Sequence, residues 1–108
     1  MEDKLFLAKA KKIIGHFRLS VESHLATSPD KQRLLQLADG VLLTLSNQTR
    51  VNNKILIEME KFYQSTSMII GLSLSDSKCI YSSWREYDAF HFEYVKPNLK
   101  VYGNTFLI

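Results

Sequence analysis

The chain has 108 residues, 45% of them hydrophobic and 23% charged, which fits one soluble globular domain and excludes a disordered chain or one built around membrane spans. Fourteen basic and eleven acidic side chains leave a net charge of +3, too mild and too dispersed for the dense basic stripe of a dedicated DNA binder. The sole cysteine, Cys79, excludes an intramolecular disulfide and is compatible with a reducing compartment.

The N-terminal segment follows a helical period from residue 3 to about 26. Phe6, Ala10, Ile13, Phe17 and Val21 recur every three or four positions, with Ile14 and Leu25 widening the stripe. Lys4, Lys9, Lys11 and Lys12 interrupt every apolar cluster here, so no secretory signal is visible and a cytoplasmic location is expected. A second helix is expected to start at "TSPDKQ", where Ser28 can cap and Pro29 suits the first helical position. Its leucines cover most of its circumference, and Gly40 inside it suggests a close approach or a bend. The stretch "TRVNNKILIEMEKFYQS" fits both periods. Its length without Gly or Pro favours a helix, in which Glu58 and Lys61 can pair.

After Thr66 the pattern shifts to a two-residue alternation. Met68, Ile70, Leu72 and Leu74 alternate with Ile69, Gly71, Ser73 and Ser75, the pattern of a half-buried strand. "SDSK" then reads as a turn and "CIYSSW" as the returning strand. Residues 89–107 read as a hairpin around "KPN", with Phe90, Phe92 and Tyr94 on one side and His91 on the other. The expected architecture is therefore α+β. Two or three helices, about residues 3–65, pack on one face of an antiparallel meander of about four strands, about 67–107.

Few residues offer chemistry. The four glycines are scattered and form no phosphate-binding loop. The serines of "LSLSDSK" lack a nucleophile-elbow context, and Cys79 beside Ile80 reads as an inert core residue. His16, His24 and His91 lack the short spacing of a metal site, so neither a metal nor any other cofactor is expected. Lys4, Lys11 and Arg18 are seven apart on the first helix and form a candidate anion-binding line. Eight of the twelve aromatic residues lie between Tyr81 and Phe106. Trp84, Tyr87 and Tyr102, with Arg85 beside them, are the candidates for a partner-binding surface, because such residues dominate hot spots.

In "WREYDAFH", Arg85 and His91 resemble the spacing of HEPN-type ribonucleases, in which an Arg is followed by four to six residues and a His. The resemblance implies a pair near the start of a late helix that attacks RNA within a helical dimer. Arg18 and His24 supply the same spacing a second time, and the expected hairpin would put His91 on a strand. The favoured expectation is accordingly a non-enzymatic protein-binding module of the immunity-protein, antitoxin, chaperone or adaptor type. The alternative is RNA or DNA binding by the basic helix, with ribonuclease chemistry at Arg85 and His91. The expected edge strand, around residues 99–106, offers a route to a homodimer.

Overall fold

A computed structural model describes residues 2–73 and 78–99. The first period becomes α1 (Asp3–His24), which buries Phe6, Leu7, Ala10, Ile13, Ile14, Phe17 and Val21. Residues 29–46 form α2 (Pro29–Ser46), opened by the Ser28 hydroxyl accepting from the Lys31 amide at 3.1 Å. This bond satisfies one of the amide donors that a helix start leaves without an internal partner. The ambiguous third stretch is helical and continues well past Thr66, as α3 (Asn53–Ser73). There the Asn52 side chain accepts from the Ile55 amide at 3.0 Å, and Glu58 meets Lys61 at 3.9 Å. The chain then forms α4 (Lys78–Phe90), a π-helical turn (His91–Val95) and a 3-10 turn (Lys96–Asn98).

The first helix packs along both α2 and α4, α2 packs along α3, and α3 meets the π and 3-10 turns, reaching α4 through side chains. The last two helices run antiparallel, since Tyr63 reaches Asp88 while Glu60 reaches His91. The same holds for α1 and α4, where Phe6 meets Phe90 and His16 meets Glu86. Among the described residues the result is a four-helix arrangement of up-and-down type. Leu34, Ala38, Val41 and Leu45 of α2 and Ile55, Met59, Phe62 and Ile70 of α3 close the core.

Large aromatics fill the space between α3 and α4. Trp84 lies 5.1 Å from Phe17 and 5.7 Å from Phe62, and stacks on Tyr63 at 5.6 Å, while Phe62 meets Tyr87 edge-on at 5.2 Å. Tilted and edge-to-face pairs of this kind contribute about 0.5–1.5 kcal/mol each beyond the area they bury.

The α+β expectation is overturned: among the described residues there is no strand and hence no sheet. The alternation after Thr66 would place Met68 and Ile70 on one face. They are two helical steps, about 200°, apart, and Met68 is 67% exposed while Ile70 is 3% exposed. "CIYSSW" belongs to a helix whose inward stripe is Ile80, Trp84, Tyr87 and His91. The first half of the expected hairpin is helical through Asn98, with Phe90 buried and Phe92 exposed rather than both on one face. Its second half, most of the proposed edge strand, and the core of the "SDSK" turn fall outside the described residues. Nothing lies within 4 Å of a side chain built on Gly40, so no close approach explains it.

Candidate functional site

The Arg85 and His91 pair does not assemble. Six helical steps rotate a side chain by about 120° from alignment, and only His91 falls on the inward stripe. His91 is fully buried at the start of the π turn, whereas Arg85 is exposed, its guanidinium 6.0 Å from the Tyr81 ring centre. The cleft that the ribonuclease resemblance implies is therefore not formed by these two side chains. At the second occurrence, Arg18 is bound by Glu22 and Asp39, and His24 is exposed at the end of α1.

Around His91 lies a closed polar network. Its Nε2 is 2.7 Å from Glu60 Oε1, and its Nδ1 is 3.0 Å from the Tyr87 hydroxyl. The other Glu60 oxygen accepts from Gln64 Nε2 at 2.7 Å and from Lys96 Nζ at 3.0 Å. Tyr63 stacks on the imidazole at 4.2 Å, with its hydroxyl donating to Asp88 at 2.6 Å. The π turn delivers both His91 and Lys96 to one carboxylate on α3. Such one-turn widenings of a helix re-aim side chains and are frequent at functional sites.

Burial is the largest influence on each titrating group. It pushes the His91 imidazole below its ordinary 6.5, against the opposing hydrogen bond with Glu60. It would raise Glu60, but hydrogen bonds with His91, Lys96 and Gln64 together outweigh it and hold that carboxyl below 4.5. Burial and then the bond to Asp88 push Tyr63 up to about 12, and burial pushes Tyr87 well up. These directions define one proton arrangement. Neutral His91 donates from Nε2 to ionised Glu60 and accepts at Nδ1 from Tyr87, while Lys96 balances the carboxylate. Both imidazole nitrogens are thus committed and no face of the ring meets solvent. The network can clamp the C-terminal turns to α3; it cannot touch a substrate as it stands.

The open feature lies on the other side of α1. Leu5, Ala8, Lys9, Lys12 and His16, outside the core stripe, and the edge of buried Ile13 line a groove against Glu86 of α4, with a volume of about 510 Å³. It continues past His16 and Glu86, whose side chains meet at 3.2 Å, into a second hollow lined by Ser20, Lys78, Ser82 and Ser83. Leu5 is 60% exposed. Lys12 and Lys78 make no ion pair among the described residues, and the Lys9 ammonium sits 5.4 Å from the Tyr94 ring centre. A low apolar floor bordered by cations can receive an apolar ridge with acidic flanks.

The residues singled out from sequence are scattered. Trp84 and Tyr87, expected on an outward face, are core residues because α4 is a helix and both lie on its inward stripe. Tyr102 lies outside the described residues. In the anion-binding line, Lys4 is exposed and Lys11 half-buried, but Arg18 is neutralised by two carboxylates. The three histidines are not gathered, and among the described residues no cluster of three or more His, Cys, Asp or Glu could hold a metal. No helix among them is long and apolar enough to cross a membrane. Sequence reasoning missed both the Glu60 to His91 network and the groove. The groove had a signal, a second α1 stripe at residues 5, 8, 12 and 16.

Among the described residues, fold and site together define an all-helical up-and-down arrangement with a closed internal polar clamp and an open interhelical groove. The chain matches no protein-family model, and comparison with curated proteins and with solved structures returns no similar protein.

Proposed function

We propose that this chain is a non-enzymatic protein-binding module, of the immunity-protein, antitoxin, chaperone or adaptor kind, which works by occupying a partner's surface. The carrying observation is the α1–α4 groove, where Leu5 stands 60% exposed in a lining it shares with Ala8, Lys9 and Lys12, and Lys12 makes no ion pair among the described residues. Leu19, Leu43 and Met68 are as exposed as Leu5, but Leu5 borders a hollow edged by cations, a setting in which an apolar side chain can anchor a partner. The arrangement of His91 favours the same reading, because a general base must reach its substrate, and this ring is enclosed. Nucleic-acid binding through α1 is weakened by the loss of Arg18 to Glu22 and Asp39.

The test is affinity capture from native lysate with the wild-type chain and with Leu5→Asp, followed by mass spectrometry and nucleic-acid staining. The expected result is a protein retained in stoichiometric amount by the wild type and lost with Leu5→Asp, whose exposed site leaves the fold intact. Retention of nucleic acid alone, or of the same proteins by both chains, would overturn the reading.

A further inference from the structure

Resting on the protein-binding reading, we infer that the α1–α4 groove receives an amphipathic helix of a partner protein, with its apolar stripe flanked by glutamate or aspartate. Shape comes first. The two hollows share His16 and Glu86 and so run on from Leu5 to Ser20, about 22 Å at 1.5 Å per residue. That length suits a helix of about four turns lying along the seam, the groove mode of peptide recognition.

Charge then selects the occupant. Lys9, Lys12 and Lys78 line this path, and Glu86 is the single carboxylate among its described lining residues. Three ammonium groups against one carboxylate leave the path net positive. A second copy of the chain is disfavoured, because a two-fold interface brings each patch against itself and sets these lysines against lysines. A phosphate backbone would meet the cations but would leave exposed Leu5 and Ala8 without an apolar counterpart. An acidic amphipathic helix answers both.

The experiment is amide NMR on the labelled full chain, titrated with three probes. One is a synthetic peptide of about four helical turns with leucines on one stripe and glutamates beside it. The second has lysines in place of the glutamates, and the third is an oligouridylate. The glutamate peptide is expected to shift the amides of Leu5, Ala8, Lys12, His16 and Glu86, and to bind at least about tenfold more tightly than the lysine peptide. In Lys9→Glu/Lys12→Glu, both sites being exposed and helical content being checked by circular dichroism, that preference should reverse. Groove amides unmoved by the glutamate peptide up to about 1 mM, the weak limit of useful affinity, would overturn the inference. So would equal binding of both peptides, or oligouridylate moving the same amides at lower concentration. If Leu5-dependent protein capture survived such a failure, only the partner class would fall and the protein-binding reading would stand.

Discussion

Replacing His91 by alanine is the sharpest perturbation of the internal clamp. The substitution strips Glu60 Oε1 of its donor, leaves the Tyr87 hydroxyl without an acceptor, and removes the ring on which Tyr63 stacks. Leaving a buried carboxylate short of a donor costs about 1.5–3 kcal/mol, and a stranded hydroxyl costs about 1–3 kcal/mol. Because Lys96 and Gln64 still hold the other Glu60 oxygen, the sum is expected in the middle of that range, about 4 kcal/mol. Removing both partners differs. In Glu60→Met/His91→Phe, no buried charge is left behind and Lys96, 40% exposed, turns to water; a loss of about 2 kcal/mol or less is expected. Urea unfolding followed through the sole tryptophan, Trp84, reads both. With a slope of about 1–3 kcal/mol per molar for a chain of this size, His91→Ala should lower the midpoint by about 2 M, and the double variant by less. A single variant within about 1 kcal/mol of wild type, or a double variant worse than the single, would refute the reasoning.

Other outcomes follow from the same structure. Since His91 is held below 6.5 when folded, the unfolded chain binds its proton first. Stability should fall as pH drops through 6.5, and fall again below 4.5 as Glu60, also depressed, loses its charge. Urea midpoints across this range should trace both steps, and both should be missing in the double variant, which lacks either group. Thr66 is fully buried and its hydroxyl finds no partner among the described residues. Thr66→Val should therefore raise stability by about 1 kcal/mol, seen as a higher melting temperature. Ser28→Ala removes the cap of α2 and should cost about 1 kcal/mol by the same unfolding assay.

The first half of the fold was legible because its signals were local and agreed with one another. Phe6, Ala10, Phe17 and Val21 repeat with the helical period, and Ser28 with Pro29 marks a start that the Lys31 amide uses. Past Thr66 two periods overlapped. Ile80, Trp84, Tyr87, His91 and Val95 formed a helical stripe all along, but small serines between the aromatics and the alternation at Met68 and Ile70 resembled pleated segments. Reading strands there turned Trp84 and Tyr87 outward and displaced the candidate surface. The Glu60 to His91 contact joins residues 31 apart, so nothing in either local stretch announces it. It emerges only once α3 and α4 lie antiparallel and the π turn swings Lys96 onto the same carboxylate. The basic character of α1 was visible, yet the loss of Arg18 from its basic line depends on α2, whose Asp39 takes that guanidinium.

The most direct measurement places a photo-activated cross-linking side chain at Ala8 in the groove, or at exposed Arg33 on α2 as a control, and irradiates the full chain in its native lysate. The account predicts a discrete protein adduct from position 8 that position 33 does not give. An adduct from position 33 alone, or nucleic acid as the cross-linked species at position 8, would contradict it.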